Sequence, residues 1–254
     1  TRRNGEQMVQ TLFIDAKWGG EITLTKKLRV YLKEKNPQSL ALFAAVQFST
    51  LDNFIKEIKR LGIKIKMTQA KRTAKPLQIL GCDCYDDSFK ENIIKNSDMI
   101  IYVGDGLFHP KALLLSQIKN KKIKPLVLFD PISDTVKEID KKDINNQLLK
   151  TKANTKKCLN AEKIGILVTI KPGQQYLQSA ITLKERLKKE GKKVYVFIDN
   201  TFDLNSLENY PFIECWVNTA CPRIGADDIV NISQPMINIR EAFEPVKTLE
   251  MLEN

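Results

Sequence analysis

The chain has 254 residues, of which 43% are hydrophobic and 28% are charged, and its formal net charge is +11. The hydrophobic share is enough for a folded core and excludes global disorder, while the length allows one large domain or two of ordinary size. The longest apolar runs are about as long as a β-strand and far shorter than the ~20 residues of a membrane-spanning helix, so no membrane partner is expected.

Apolar runs alternate with amphipathic stretches along the chain, a pattern that predicts βαβ units and a parallel sheet. The predicted strands are 11–15, 39–46, 63–67, 77–80, 99–103, 126–130, 164–169, 194–198 and 214–218. The predicted helices are 24–35, 51–60, 86–95, 110–118 and 175–189. The predicted fold class is therefore α/β.

Two parts of the chain show the same order of features. Residues 39–67 and 163–198 each contain an apolar strand, a short loop, an amphipathic helix and a second apolar run. This similarity predicts two Rossmann-like three-layer domains with parallel sheets, related by internal duplication. We expect these domains at 18–150 and 151–254, with their seam in the lysine-rich stretch 141–161, and residues 1–17 as a linker or the last strand of a missing first domain.

The excess of basic residues raises the question of nucleic acid as a partner. Most lysines, however, are interleaved with acidic residues in helical patterns such as 184–190, as on solvated helix faces. No basic patch contains interleaved aromatic residues, so nucleic acid is not expected as the main partner. Five cysteines are an odd number in a large chain, which argues against a secreted disulfide framework and predicts a reducing cytoplasm.

Two cysteines occupy matching positions after apolar runs. Cys82 lies in Leu-Gly-Cys-Asp and Cys221 lies in Asn-Thr-Ala-Cys-Pro-Arg. Ligands of α/β proteins gather at the carboxyl ends of parallel strands, and two thiolates there suggest a shared metal centre such as an iron–sulfur cluster. A cubane cluster with one open iron needs three cysteines, and the sequence convincingly offers two.

The other chemically reactive side chains give weaker signals. Cys84 is too close to Cys82 for the usual Cys-x-x-Cys zinc spacing and is expected to face elsewhere. Cys158 and Cys215 are expected to be ordinary buried thiols. His109, the only histidine, suits either an orienting or acid–base role or a helix start bonded to backbone, and alone it cannot build a His-rich zinc site.

Three further loops combine glycines with polar residues after a predicted strand. They are Val-Gly-Asp-Gly-Leu-Phe-His-Pro at 103–110, Ile-Lys-Pro-Gly-Gln at 170–174 and Asn-Thr-Ala-Cys-Pro-Arg-Ile-Gly-Ala-Asp-Asp at 218–228. Glycine lets backbone N–H groups approach a ligand, and the following helix N-terminus favours an anion. A short glycine motif alone also suits a plain tight turn, but several such loops at strand ends favour a binding site.

Together with Leu-Gly-Cys-Asp, these loops in this order resemble the archaeal and eukaryotic diphthamide synthase family, from about residue 11 to near 242. The resemblance implies a cytoplasmic transferase that moves a 3-amino-3-carboxypropyl group from S-adenosylmethionine to a histidine of elongation factor 2. It also implies three similar domains, each giving one cysteine to a [4Fe-4S] cluster that binds S-adenosylmethionine. Cleavage of the bond from sulfur to the γ-carbon gives a radical that adds to the histidine, leaving methylthioadenosine. Family members form dimers, so a homodimer or a heterodimer with a related subunit is expected.

The resemblance carries over to individual positions of this sequence. Cys82 and Cys221 match the cluster ligands of the second and third domains. The positions that match surfaces near the S-adenosylmethionine site, or motif positions beside the cluster, are Gly104, Asp105, Gly106, His109, Lys171, Pro172, Gly173, Gln174, Asn218, Arg223 and Asp228. An arginine and a helix N-terminus would suit the carboxylate of the methionine part. No catalytic residue is assigned beyond the cluster ligands.

One departure from the family pattern is serious, because the first-domain cysteine motif is not in this sequence. A truncated chain, a separate chain that carries that domain, and a naturally shortened non-catalytic partner are three open explanations. We expect this chain alone to be inactive or free of the cluster. The alternatives to a synthase are a non-catalytic scaffold subunit of the same complex, a quinolinate-synthase-like iron–sulfur enzyme and a generic Rossmann-like nucleotide binder.

Overall fold

A computed structural model describes residues 17–253 except 49, 74, 82, 86–87, 119–121 and 172–175, and describes the backbone alone at 230 and 231. The predicted strand 11–15 lies outside the described residues. The helices are α1 (Lys26–Lys35), α2 (Asp52–Arg60), α3 (Phe108–Leu115), α4 (Asn145–Asn160), α5 (Leu177–Lys189), α6 (Ile239–Phe243) and α7 (Pro245–Glu253). The strands are β1 (Ser39–Ala44), β2 (Lys64–Lys66), β3 (Met99–Val103), β4 (Leu126–Asp130), β5 (Thr135–Ile139), β6 (Lys163–Thr169), β7 (Lys193–Asp199), β8 (Cys215–Asn218) and β9 (Met236–Asn238).

The strands form two sheets with corresponding strand orders. The first sheet has the order β2-β1-β3-β4-β5, and only its last pair, β4 and β5, is antiparallel. The second sheet has the order β7-β6-β8-β9 and is parallel throughout. In each sheet the first strand lies between the second and the third, so the same connections occur twice. The predicted α/β fold is confirmed.

Continuous apolar runs form the central strands because the faces of these strands are covered. All six residues of β1 and all five of β3 are buried. Leu28 and Leu32 of α1 and Phe54 and Ile58 of α2 pack into the same core. In the second sheet, β6 packs against the buried face of α5, so the carboxyl ends of the central strands are rigidly placed in both sheets.

Helix α4 connects the two sheets within the predicted seam 141–161. Its buried face packs on β8 and β9, where Asn154 Nδ2 donates a hydrogen bond of 2.8 Å to the carbonyl of Met236. Before α4, Asp140 caps a short 3-10 helix and Asp143 bonds back to the amide of Asp140. In the described part of the chain, no helix is long and apolar enough to cross a membrane.

Two predicted elements are wrong. The predicted strand 77–80 contributes only a single bridge, between Gln78 and Ala44, because Leu77 has a left-handed φ of 71° and interrupts the extended backbone. The predicted helix 86–95 is a series of turns over its described residues. There the side chain of Asn92 accepts a hydrogen bond from the amide of Lys95, which competes with helical bonding.

The expectation that Cys158 and Cys215 are ordinary thiols is also wrong in this structure, where they form a disulfide with a Cα–Cα distance of 5.3 Å. Cys158 lies near the end of α4 and Cys215 is the first residue of β8. Both are buried, and the packing of α4 on the second sheet brings them together although 57 positions separate them in sequence.

Candidate functional site

Loops from the carboxyl ends of both sheets meet in one crevice. Arg223, which follows β8, places its guanidinium carbon 4.4 Å from the ring centroid of Phe108, which follows β3. Arg240, which follows β9, lies 4.4 Å from the ring centroid of Tyr85. The two arginines therefore bring motif loops of the second sheet against loops of the first, as the position of ligand sites in α/β folds predicts.

The loop after β3 needs its two glycines for different reasons. A Cβ on Gly104 would lie 2.6 Å from a ring carbon of Tyr102 and 2.8 Å from its hydroxyl, closer than a side chain can approach. Gly106 has a φ of 64°, which other residues rarely adopt. Between them Asp105 is exposed and accepts a hydrogen bond of 3.0 Å from Gln47 Nε2. Gly106 thus serves a tight turn, while Gly104 makes room for the Tyr102 hydroxyl.

That hydroxyl lies 2.9 Å from Nδ1 of His109, and the two rings are stacked. Burial is the main cause that lowers the pKa of His109, and the nearby Arg223 lowers it further, whereas Asp105 opposes the shift. Burial also raises the pKa of Tyr102. Both side chains are therefore neutral at pH 7, so His109 can exchange a hydrogen bond with a ligand without adding charge beside Arg223.

Arg223 is the most unusual charged side chain of the crevice, because it is only 5% exposed. Its Nη2 pairs with the carboxylate of Asp227, yet its Nε and Nη1 atoms have no hydrogen-bond partner in the described structure. The pKa of Asp227 is raised by burial, against the opposing effect of Arg223. A buried guanidinium with two nitrogen atoms, Nε and Nη1, that lack an acceptor is costly unless an anion completes it.

The loop that carries Cys221 is held by two asparagines. Asn218 donates from Nδ2 to the carbonyl of Cys221 at 2.9 Å and to Oδ1 of Asn238 at 2.8 Å. Asn238 in turn donates from Nδ2 to the carbonyl of Pro222 at 3.0 Å, and Gly225 packs against its side chain. Because one N–H group of Asn218 bonds to the loop and the other to Asn238 at the end of β9, this residue ties the loop of Cys221 to the neighbouring strand.

The structure describes some of the other predicted site residues and leaves others outside the described part. Cys82 and residues 172–175, which include Pro172, Gly173 and Gln174, lie outside the described residues. Lys171 is half-buried and its amide bonds to Thr169 Oγ1 at 3.2 Å. Asp228 begins a short 3-10 helix, and the neighbouring Asp227 is the carboxylate that pairs with Arg223.

The described residues do not complete a cubane ligand set. Among the described residues, no group of three or more His, Cys, Asp and Glu side chains could hold a metal ion. Cys84 turns its thiol to the carbonyl of Leu80 at 2.9 Å, and Cys158 is bonded to Cys215. Gly81, the residue before Cys82, packs against the ring of Phe108 beneath Arg223. The chain thus offers Cys82 and Cys221 as motif thiols, one fewer than the three of a cubane with an open iron.

Two cavities adjoin the crevice. One of about 140 Å³ is lined by Asn218, Pro222 and Tyr176. A second of about 290 Å³ extends between two units, the first sheet with its helices and the second sheet with its helices. The wall that both cavities share consists of Tyr85, Asn238, Arg240 and Glu241. None of these four shared residues was predicted from the sequence as a site residue, nor was Tyr102. Phe108 and Asp227 lie in predicted motif loops but were not singled out. Tyr102 is indistinguishable from a core strand residue, and Arg240 and Glu241 follow a strand too short to show a pattern.

Comparison with known proteins identifies the family. The family model described as "Putative diphthamide synthesis protein" matches residues 5–251. The chain belongs to this family. The predicted resemblance to diphthamide synthases is therefore confirmed.

Curated relatives of this diphthamide family member carry an enzyme name. The chain is 30% identical to 2-(3-amino-3-carboxypropyl)histidine synthase of Pyrococcus horikoshii over 67% of this chain and 45% of the relative. It is 26% identical to subunit 1 of the synthase from Dictyostelium discoideum, over 82% of this chain and 43% of the relative. The chain thus spans about half the length of the curated relatives it matches.

A solved structure supports the fold of this diphthamide family member. The crystal structure of Dph2 from Pyrococcus horikoshii with a 4Fe-4S cluster superimposes with a TM-score of 0.68 and 23% identity. The match covers 90% of this chain and 63% of that one. At this identity the likeness shows the shared α/β fold.

Proposed function

We propose that this chain forms part of a 2-(3-amino-3-carboxypropyl)histidine synthase. The transferase moves the 3-amino-3-carboxypropyl group of S-adenosylmethionine to a histidine of elongation factor 2, the first step of diphthamide biosynthesis. The observation that carries the proposal is the buried Arg223, whose Nε and Nη1 atoms lack an acceptor, where the motif loops of both sheets meet. Membership of the family and the names of the relatives support it.

The role of Arg223 is to bind the carboxylate of the methionine part of the substrate. Asp227 occupies Nη2 and the face of Phe108 supports the guanidinium, which leaves Nε and Nη1 as the donors for an anion. His109, held neutral beside it, offers a hydrogen bond without opposing charge. Asn218 and Asn238 hold the loop that carries Cys221, the proposed cluster ligand, through its backbone carbonyl and that of Pro222.

A [4Fe-4S] cluster at this crevice would supply the electron for cleavage of the carbon–sulfur bond. Cys82 and Cys221 are the two ligands that this chain would contribute, and a third thiolate would have to come from another segment or another subunit. A homodimer, or a heterodimer with a related subunit, in the cytoplasm is the corresponding assembly. The relatives named subunit 1 support the view that a synthase of this type acts as a complex.

A non-catalytic scaffold subunit is the second candidate function. It is favoured by the two motif thiols, since this number does not complete a cluster. A scaffold role predicts that Cys82→Ala and Cys221→Ala leave elongation factor modification intact in the complex. The synthase role predicts that each substitution abolishes it.

The test uses the complete gene product with its complex partners, purified without oxygen and reconstituted with iron and sulfide. We expect a cubane signal in the EPR spectrum of the reduced protein and transfer of label from carboxyl-labelled S-adenosylmethionine to elongation factor 2.

Arg223→Lys should raise the KM for S-adenosylmethionine about tenfold, because lysine cannot reproduce the planar donors of arginine. The matched control is Arg186→Lys, an exposed arginine of α5 that pairs with Glu190. Absence of both iron and transfer would refute the synthase proposal.

A further inference from the structure

The disulfide between Cys158 and Cys215 fastens the connecting helix α4 to the second sheet. Cys158 lies in the last turn of α4, and Cys215 is the first residue of β8, the strand that leads to the loop of Cys221. Cys215 is 0% exposed, whereas Cys158 is 6% exposed. A reagent from solvent therefore reaches Cys158 more readily than Cys215.

A cavity of about 410 Å³ lies beside this bond, and we call it the Cys158 cavity. Cys158 is part of its wall and Cys215 is not. The volume lies within the roughly 300–1,000 Å³ of small-molecule sites. The cavity thus gives a molecule of that size a path to one sulfur of the disulfide. Its apolar wall includes Ile164, Leu187, Val217, Ile237 and Phe243.

The charged groups of the Cys158 cavity leave one positive charge without an acidic partner. Arg186 pairs with Glu190 at 3.2 Å and Lys247 pairs with Glu244 at 3.0 Å, and all four residues line the cavity. Lys192 lines it too, but its Nζ donates to two backbone carbonyls at the end of α4, at 2.9 and 2.6 Å. In the described part of the chain it forms no ion pair. A ligand with a carboxylate is therefore favoured over a cation.

We propose that the Cys158 cavity binds a small anionic thiol of the glutathione class, and that the disulfide is a switch which this thiol opens and closes. The thiolate attacks Sγ of Cys158 and forms a mixed disulfide, while the bond to Cys215 breaks and Cys215 leaves as a thiolate that takes up a proton from water. A second thiol attacks the sulfur of the first, which releases the disulfide of the small thiol and Cys158 as a thiol. Two thiol molecules are thus oxidised as the two cysteines are reduced, and the disulfide of the small thiol closes the switch by the reverse steps.

The open switch frees the carboxyl end of α4 from the second sheet. The hydrogen bond from Asn154 to the carbonyl of Met236 remains. Because β8 continues into Asn218, which holds the loop of Cys221, the closed disulfide anchors the strand that carries this loop. The inference is independent of the proposed synthase activity, since the bond, the cavity and its charges all belong to this chain.

The first experiment compares the two cysteines under the same oxidant. In Cys215→Ala, the thiol of Cys158 should form a mixed disulfide with oxidised glutathione. In Cys158→Ala, the buried thiol of Cys215 should react about tenfold more slowly, since exchange needs access to the thiol. Peptide mapping by mass spectrometry measures both rates, and the urea-denatured variants, in which the two thiols should react alike, are the control. Equal or faster modification of Cys215 in the folded protein would overturn the inference.

A second experiment keeps both cysteines, so it does not depend on the folding of a cysteine variant. The chain purified without reductant is incubated at rising ratios of glutathione to its disulfide, and the thiols are trapped with a maleimide and mapped. We expect the disulfide to open as the ratio rises, and Ala242→Trp, which fills the cavity, to slow opening about tenfold. The control is Ala153→Trp, at an exposed position of α4 outside the cavity wall. A bond that stays closed in excess glutathione, or that opens equally fast in Ala242→Trp, would overturn the inference.

Lys192→Gln tests the charge of the ligand. Opening by glutathione should slow about fivefold relative to opening by the uncharged 2-mercaptoethanol, because the positive charge that attracts the anion is lost. The matched control is Lys189→Gln, an exposed lysine in the last turn of α5. Equal slowing for both thiols would overturn the anionic class of ligand. Opening by a thioredoxin-type dithiol protein but not by glutathione would refute the small-molecule site.

Discussion

Arg223 is the residue through which the two halves of the site are joined. Its guanidinium contacts Phe108 of one unit and Asp227 of the other, and Phe108 packs on the glycine before Cys82. The resemblance placed Arg223 beside the cluster but assigned no geometry to it. The structure adds that the side chain is buried with two unused donors, which is what makes it a candidate anion site.

His109 provides a pH-dependent test at the residue scale. Its pKa in the fold is lowered, chiefly by burial, whereas an unfolded chain takes up the same proton near pH 6.5. Between these two values the unfolded state binds more protons, so the stability contributed by neutral His109 is complete above pH 6.5 and is lost as the pH falls through the folded pKa.

The measurement is an NMR titration of the imidazole, which is simple because His109 is the only histidine. We expect a midpoint below 6.5 that rises in Arg223→Gln, since the neighbouring positive charge is removed. A midpoint at or above 6.5 in the unsubstituted chain would contradict the burial of the imidazole.

Gly104 gives a second residue-scale prediction. Gly104→Ala should lower the free energy of unfolding by about 1–3 kcal/mol, because the new methyl group would overlap the ring of the buried Tyr102. Urea denaturation measures the change. Gly19→Ala is the control, since a Cβ at Gly19 meets nothing within 4 Å, and an equal effect in both variants would contradict the packing argument.

At the scale of elements, apolar runs predicted the fully buried central strands and also the partly exposed β2 and β7, but other segments of similar composition are not regular elements. The predicted strands 99–103 and 126–130 coincide with β3 and β4. The predicted strand 77–80 and helix 86–95 have suitable composition but are broken by a left-handed Leu77 and by the side chain of Asn92. Strand β5 was missed because it is mostly exposed at the edge of the sheet and carries polar residues.

The disulfide between α4 and β8 is testable at this scale. Its 57-residue separation predicts about 4 kcal/mol of stabilisation in the chain-entropy description. Peptide mapping by mass spectrometry should recover a linked pair of Cys158 and Cys215 peptides from protein purified without reductant. Reduction should lower the denaturation midpoint, whereas Cys158→Ala should unfold at the same midpoint with or without reductant. Recovery of only reduced peptides would contradict the pairing.

At the scale of the whole molecule, the corresponding strand orders of the two sheets explain why the motif loops meet. The same connections place the loops after β3 and β8 at the carboxyl ends of matching strands. The contacts of Arg223 with Phe108 and of Arg240 with Tyr85 then link the units. The site therefore depends on how the units pack together, and each unit alone holds half of it.

Because two cation–π contacts link the units, their removal should change how cooperatively the chain unfolds. The double variant Phe108→Leu and Tyr85→Leu removes both cation–π contacts, each worth about 0.5–2 kcal/mol. Differential scanning calorimetry should show one unfolding transition for the unsubstituted chain and two for the double variant. Phe212→Leu is the control, because Phe212 contacts Tyr195 and Tyr210 within the second unit. A single transition in the double variant would show that α4 alone couples the units.

The sequence by itself determined the α/β class and the family, and it indicated a repeated unit and the loops of the candidate site. These features depend on local hydrophobic periodicity and on the order of short motifs, and both can be read from the amino-acid sequence. The residues that the motifs supply, such as Gly104, Asn218 and Arg223, lie where strands end, as parallel sheets require.

Only the tertiary structure decided which side chains meet across the crevice. Tyr102 and Glu241 owe their importance to burial and to neighbours on other elements, and Asp227 owes it to the burial of Arg223, its partner four positions earlier. The same holds for Cys158 and Cys215, which α4 brings together across 57 positions. Burial, pairing and the absence of a partner are properties of packing, so no pattern in the chain itself could reveal them.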